Sequence, residues 1–123
     1  ILKDVHLGRD SLVGAAMILN RLAKEENPLS SIYASLPQFT IVKDKVDISG
    51  LDSDELLSTI AEQFPETEKN MDDGLKLIWS DRWIHVRKSN TEPIVRIYAE
   101  ASTIGEAESL VDSVRKLDIL RDR

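Results

Sequence analysis

The chain has 123 residues, of which 41% are hydrophobic and 31% charged, as in an ordinary water-soluble globular protein. Its formal net charge of −6 disfavours non-specific binding to nucleic acid, because such binding needs a basic surface. The absence of cysteine excludes disulfide frameworks, thiolate nucleophiles and cysteine-ligated zinc. We find no apolar run long enough to span a membrane and no signal peptide, so we expect a cytoplasmic protein. The chain opens at Ile1 rather than Met, and we expect it to be part of a longer protein.

The first predicted element is a helix from Ser11 to Lys24, with Asp10 as its N-cap and Pro28 as the boundary after it. A second, short helix is predicted from Ile32 to Leu36, with Ser30 as its N-cap. Because apolar residues lie on most faces of the first helix, we expect it to pack on more than one side, against partners that this chain does not supply. These apolar residues are Leu12, Val13, Ala15, Ala16, Met17, Ile18, Leu19, Leu22 and Ala23.

The remaining sequence predicts five strands and two amphipathic helices. Strands joined by short turns pair antiparallel, and amphipathic helices cover one face of such a sheet. The predicted fold is therefore α+β, with a mainly antiparallel sheet of four or five strands and two helices on one face. In chain order the elements are a strand at 39–48, a helix from its N-cap Asp52 to about Phe64, an edge strand at 67–71, strands at 75–79, 83–86 and 94–99, and a helix that begins with the capping box of Thr103 and Glu106.

Alternation along the last two strands predicts which side chains face the core and which face away from it. The core-facing set is Ile84, Val86, Val95, Ile97 and Ala99, and the opposite set is Trp83, His85, Arg87, Arg96, Tyr98 and Glu100. On the outer face, Arg96 is expected to brace the loop or to pair with Glu92 or Glu100. The two tryptophans are expected to pack rather than to stack on a ligand, and Asp72-Asp73-Gly74 is read as a turn rather than a metal site.

The candidate binding site is the polar loop Arg-Lys-Ser-Asn-Thr-Glu-Pro at 87–93, between the last two strands. Its guanidinium, ammonium, hydroxyl and amide groups suit an anion with several acceptor oxygens, such as phosphate. The N–H groups of Ser89, Asn90 and Thr91 are expected to face that anion together, with a bidentate contact from Arg87. The alternative is a solvated loop whose polar side chains cap their own backbone.

This loop and its flanking strands resemble the C-terminal domain of the α-D-phosphohexomutases, the phosphoglucomutase, phosphomannomutase and phosphoglucosamine mutase enzymes. The resemblance rests on 73–76, 83–93 and 96–101, and the family signature is Arg-Pro-Ser-(Asn/Gly)-Thr-Glu-Pro. This chain has Lys88 where proline is common. The segment 8–14 is similar to the start of the last helix of the preceding, sugar-binding domain.

The resemblance implies a TATA-box-binding-protein-like C-terminal domain over 29–123, with 1–28 as the remnant of the sugar-binding domain. It also implies an intact enzyme that interconverts hexose 1-phosphate and hexose 6-phosphate through a bisphosphorylated intermediate. In that enzyme a phosphoserine donates the phosphoryl group and a magnesium ion lies beside it, both outside this chain. We expect the chain by itself to contain no catalytic residue and no metal ligand, and to be inactive.

The residues that the resemblance assigns to the non-transferring phosphate are Arg87, Ser89, Asn90 and Thr91, with Lys88 and Arg96 in support. The expected partners are a phosphosugar and the remaining domains of the same protein, without nucleic acid or membrane. Glucose, mannose and glucosamine phosphates share the group that this loop would hold, so the sugar is left open. The alternative function is a stand-alone α+β binding module for nucleic acid or another anion.

Overall fold

The computed structural model describes residues 1–120, which form two units. The first unit is Ile1–Gln38, and the second begins at Phe39. The sequence places its division after Pro28, whereas the structure keeps 29–38 with the first unit. Assignment of the two parts to a sugar-binding and a phosphate-binding domain stays a prediction.

Four α-helices and five strands make up the regular structure of the described residues. In chain order they are α1 (Ser11–Glu25), α2 (Leu29–Ala34), β1 (Thr40–Asp47), α3 (Ser53–Gln63), β2 (Glu68–Asn70), β3 (Leu75–Ile78), β4 (Trp83–Lys88), β5 (Ile94–Ala101) and α4 (Ile104–Arg115), followed by a short 3₁₀ helix, Asp118–Leu120. Within this described part, no helix is both long and apolar enough to cross a membrane.

The first unit confirms one predicted helix start and corrects another. The Asp10 carboxylate accepts hydrogen bonds from the N–H groups of Leu12 and Val13, at 2.9 and 3.1 Å, and so caps α1. Every side chain of α1 is at least partly exposed within this chain. The prediction that Ser30 caps the short helix is wrong: α2 begins at Leu29, with Pro28 in extended conformation as its N-cap. Proline suits a helix entry because its fixed φ is compatible with the first turn.

The second unit is built on a five-stranded sheet in the order β1-β5-β4-β3-β2, and every neighbouring pair is antiparallel. The predicted α+β class and antiparallel sheet are confirmed. β1 and β2 form the two edges. The loop at 89–93 joins β4 to β5, which lie in the middle of the sheet.

The core lies on one face of this sheet, beneath α3 and α4. All five strand residues predicted to face the core are completely buried, which confirms the register inferred from alternation. On β1, Val46 is buried and Val42 packs against the core, whereas Ile41 is 47% exposed on the other face. The buried helix residues are Leu56, Leu57 and Ile60 of α3 and Ala107, Leu110, Val111 and Val114 of α4.

Both helices of the second unit begin at the predicted caps. The Asp52 carboxylate accepts from the N–H groups of Asp54 and Glu55, at 2.8 and 3.0 Å. Thr103 and Glu106 form the reciprocal capping box of α4. These caps satisfy backbone donors that the first helical turn leaves without partners, so the local sequence fixes where each helix starts.

Candidate functional site

The loop between β4 and β5 is fastened at three backbone points. The N–H of Ser89 donates to the carbonyl of Ile94 at 3.0 Å and closes the hairpin. The N–H of Ile94 donates to the carbonyl of Glu92 at 2.8 Å, which tightens the exit of the loop. The carbonyl of Pro93 accepts from the N–H of Ile48, just beyond β1, at 2.8 Å. The loop is therefore anchored to the sheet on both sides, although it contains no glycine.

The loop borders an open cavity of about 230 Å³. It is lined by Arg87, Lys88, Ser89, Asn90, Thr91, Arg96 and Tyr98. The structure thus brings together every residue that the sequence placed at the binding site, including the two supporting cations. Tyr98 was not predicted at the site. Its position two residues after Arg96 on the outer face of β5 was the signal that could have placed it there.

The backbone donors of the loop differ from the expectation that three consecutive N–H groups face the anion. The N–H of Ser89 is used in closing the hairpin, so Ser89 offers the cavity its hydroxyl and not its amide. The N–H of Thr91 lies 3.5 Å from Oγ of Ser89, at the long limit of a hydrogen bond. Among residues 1–120, the N–H of Asn90 has no hydrogen-bond partner. The amides of Asn90 and Thr91 are therefore the two that are not used in closing the hairpin.

Three cationic residues form one row across the outer face of the sheet. Arg87 on β4 lies directly opposite Arg96 on β5, and Arg96 lies directly opposite Lys45 on β1. Neighbouring strands are only about 4.8 Å apart, and like charges directly opposite one another are destabilising. The row concentrates positive charge beside the loop in a chain whose net charge is −6, and this arrangement favours an anion there.

Each arginine of the row also has one carboxylate neighbour. Nη2 of Arg87 lies 3.3 Å from Oδ2 of Asp73, and Nη2 of Arg96 lies 3.6 Å from Oε2 of Glu92. The second contact confirms one of the two partners predicted for Arg96. The two arginine side chains are 44% and 48% exposed, and ion pairs this exposed contribute only about 0–1 kcal/mol. Pairs this weak leave both guanidinium groups able to bind a further anion.

Lys88 is directed toward the start of α3. Its Nζ lies 3.4 Å from Oδ1 of Asp54, in the first turn of that helix. The N–H of Glu55, and then that of Asp54, hold the pKa of the Asp52 carboxyl below its usual value of 3.8, and the positive charge of Lys88 is a smaller cause. The residue that departs from the phosphohexomutase signature thus connects the loop to the first turn of α3.

Trp79 packs against the core, as predicted for both tryptophans, whereas the contacts of Trp83 are with polar side chains. Trp79 contacts Phe64 edge to face, with ring centroids 6.0 Å apart. The indole N–H of Trp83 donates to Oε1 of Glu100 at 2.8 Å, and Nζ of Lys76 lies 4.2 Å from the ring centroid. The indole N–H of Trp83 is therefore already used within the chain, and a cation lies beside its ring.

Asp72-Asp73-Gly74 forms a turn, in which Gly74 has a φ of +79°. Oδ2 of Asp72 accepts from the side-chain amide of Asn70 at 3.0 Å, while Asp73 pairs with Arg87. In the described part of the chain, no group of three or more His, Asp or Glu side chains could hold a metal ion.

Comparison with known proteins agrees with the resemblance seen in the sequence. Residues 42–117 match the family model described as "Phosphoglucomutase/phosphomannomutase, C-terminal domain". The "Phosphoglucosamine/phosphogalactosamine mutase" of Sulfurisphaera tokodaii is 38% identical over 112 residues, which are 89% of this chain and 25% of that protein. The "Phosphoglucomutase/phosphomannomutase" of Thermococcus kodakarensis is 34% identical over 119 residues, which are 95% of this chain and 26% of that protein.

A solved structure gives the same result. A phosphoglucomutase/phosphomannomutase family protein from Burkholderia thailandensis superimposes with a TM-score of 0.66 at 25% identity, covering 93% of this chain and 24% of that chain. The chain spans about a quarter of the length of these relatives. Because the family model covers more than half of the chain and the fold agrees, the chain belongs to the phosphoglucomutase/phosphomannomutase family and carries its C-terminal domain.

Proposed function

We propose that the protein acts in a phosphohexomutase that interconverts hexose 1-phosphate and hexose 6-phosphate through a bisphosphorylated intermediate. In this proposal the cavity beside the loop holds the phosphate that is not being transferred. The observation that carries the proposal is the convergence of Arg87, Ser89, Asn90 and Thr91 on one cavity. Membership of a family whose relatives are named as sugar-phosphate mutases supports it.

The donors around the cavity suit a phosphate group. Arg87 supplies a guanidinium fork, and each charged hydrogen bond that it makes to phosphate contributes about 1.5–3 kcal/mol. The N–H groups of Asn90 and Thr91 and the hydroxyl of Ser89 supply neutral donors, and Arg96 adds a second positive charge from the facing strand. These groups recognise an anion rather than a sugar, so they can hold either phosphate of the intermediate after it has reoriented.

The contribution of this site to the reaction is orientation. A substrate anchored by its non-reacting phosphate loses much of its freedom before the chemical step, and this binding energy is then available to align the reacting end. We propose that the phosphoserine and the magnesium ion that supply the phosphoryl chemistry lie outside these 123 residues. The chain alone is therefore expected to show no mutase turnover, and turnover by the purified chain would contradict this.

An NMR titration of the ¹⁵N-labelled protein with inorganic phosphate tests the binding site. Chemical-shift changes are expected at 87–91, and Arg87→Ala is expected to weaken phosphate binding by about tenfold or more. Lys116→Ala is the matched control, because it also removes one cation, and its ammonium pairs with Asp112 on α4. Unchanged phosphate affinity in Arg87→Ala would refute the proposal.

A parallel titration with a single-stranded oligonucleotide tests the alternative function. Binding across the sheet would shift the resonances of Trp83 and Tyr98 rather than those of the loop alone. Because Trp83 is already bonded to Glu100 and lies beside the ammonium of Lys76, we expect no such shifts at Trp83. Broad shifts over this face would replace the phosphosugar proposal with that of a nucleic-acid-binding module.

A further inference from the structure

The turn between β2 and β3 lies against the end of β4 where Arg87 is located. Leu75 pairs with Val86, so the preceding residue, Gly74, comes next to Arg87. A Cβ atom at Gly74 would lie 2.5 Å from the carbonyl oxygen of Val86 and 2.9 Å from Cα of Arg87. Only glycine permits this approach, and its φ of +79° is one that other residues rarely adopt. The turn therefore reaches Arg87 by direct backbone packing.

A backbone contact ties Asp73 to β4. Its carbonyl oxygen contacts Nε2 of His85 on β4, and because a carbonyl can only accept, that imidazole nitrogen carries the hydrogen. Its carboxylate then extends to Nη2 of Arg87 at 3.3 Å. The backbone contact on one side and the packing of Gly74 on the other hold the backbone of Asp73 near Arg87.

The contact between Asp73 and Arg87 leaves most of the guanidinium free. The group has five N–H donors, and the carboxylate approaches one terminal nitrogen, so the other donors can face an anion. An arginine side chain loses considerable rotamer freedom when it is fixed on a ligand. A carboxylate that already restrains the side chain reduces the freedom that is lost at the moment of binding.

We infer that Asp73 is a positioning residue of the phosphate site, whose carboxylate holds the Arg87 guanidinium in the orientation that receives the anion. This inference rests on the proposed function of the loop and adds the turn at 72–74 to the site. The inference also predicts a change in phosphate affinity opposite to the change that charge alone would cause. Removal of a negative charge near a phosphate should tighten binding, whereas loss of orientation should weaken it.

The test compares Asp73→Asn with Asp72→Asn by titration with inorganic phosphate. Both variants remove one negative charge from the same turn, but the Asp72 carboxylate contacts Asn70 and not Arg87. We expect Asp73→Asn to weaken phosphate binding by about three- to tenfold. Asp72→Asn is expected to leave it unchanged or slightly tighter. Equal affinities in the two variants, or tighter binding by both, would overturn the inference.

Two further measurements separate positioning from a general effect on the fold. The Nε–Hε resonance of Arg87 is expected to broaden or shift toward its solvent-exposed position in Asp73→Asn and to stay unchanged in Asp72→Asn. Asp73→Glu retains a carboxylate and is expected to recover part of the lost affinity. An unchanged Arg87 resonance in Asp73→Asn, or an Asp73→Glu variant no better than Asp73→Asn, would count against positioning.

A double-mutant cycle distinguishes failure of this inference from failure of the proposed function. In an Arg87→Ala background, Asp73→Asn is expected to cause no further loss of phosphate affinity, because its effect passes through Arg87. If Arg87→Ala itself binds phosphate normally, the proposed function fails. If Arg87→Ala weakens binding but Asp73→Asn does not, the phosphate site stands and only the positioning role fails.

Discussion

Arg87 and Arg96 lie directly opposite one another in the register of β4 and β5, and both border the same cavity. Side chains on opposite positions of an antiparallel pair are close neighbours, so two positive charges face each other on an exposed sheet surface. Their carboxylate partners, Asp73 and Glu92, lie on different segments and relieve this repulsion only in part. A bound phosphate would neutralise both arginines at once.

This relationship predicts separate effects of Arg96→Gln on stability and on phosphate binding. In chloride the free energy of unfolding is expected to change by less than about 0.5 kcal/mol, because the lost pair with Glu92 and the relieved repulsion offset each other. The increase in melting temperature caused by phosphate at equal ionic strength is expected to be smaller than in the unchanged protein. Lys116→Gln serves as the charge-matched control. If phosphate raises the melting temperature of Arg96→Gln as much as that of the unchanged protein, Arg96 is not part of the site.

Gly74→Ala tests the packing of the turn against β4. Both Gly74 and Gly50 have positive φ, at +79° and +82°, so alanine at either position is disfavoured by about 1–2 kcal/mol from backbone conformation. Only at Gly74 does a Cβ meet other atoms, since nothing lies within 4 Å of a Cβ at Gly50. Chemical denaturation is therefore expected to show a larger loss of stability for Gly74→Ala than for Gly50→Ala. Equal losses would show that the turn can move away from β4 freely.

Asp52→Asn tests the charged cap of α3 through the pH dependence of stability. The folded protein holds the pKa of Asp52 below its ordinary value of 3.8, so its carboxylate stabilises the fold fully above that pH. This contribution is lost as the pH falls through the lower, folded-state pKa. Asparagine also caps helices but does not titrate.

The stability advantage of the unchanged protein over Asp52→Asn is therefore expected to shrink as the pH falls below 3.8. The measurement is the urea unfolding midpoint of both proteins, from neutral pH to pH values below the ordinary pKa of Asp52. Glu108→Gln, which removes an exposed carboxylate from α4, is the control for the general effect of charge. A difference between the unchanged protein and Asp52→Asn that stays constant with pH would contradict the assignment of the cap.

Local signals account for the parts of the fold that the sequence predicts correctly. The alternation of Ile84, Val86, Val95 and Ile97 required one face of each strand to be buried, and the capping residues Asp10, Asp52 and Thr103 marked three helix starts. Where signals compete, prediction is poorer. Ser30 is a good cap by residue type, but Pro28 already begins the helix two residues earlier. The 3₁₀ helix that buries Leu120 is too short to produce a periodic pattern.

At the site, residue types predicted which side chains come together, but they did not predict which backbone N–H groups form hydrogen bonds within the chain. The amide of Ser89 closes the hairpin, which depends on the pairing with Ile94 and not on the loop sequence. The contact of Asp73 with Arg87 depends on the register between β3 and β4, because 14 positions separate them in the chain. Asp72-Asp73-Gly74 was correctly read as a turn, but nothing in its own sequence indicates what the turn touches.

β2 ends the sheet on one side with three residues, Glu68–Asn70, and all of their side chains are exposed. A strand this short, with charged Glu68 and Lys69, offers few unpaired backbone groups to a strand from another molecule. Growth of the sheet from one molecule to the next is thereby discouraged at this edge. Concentrated solutions are accordingly expected to resist fibre formation that starts from β2.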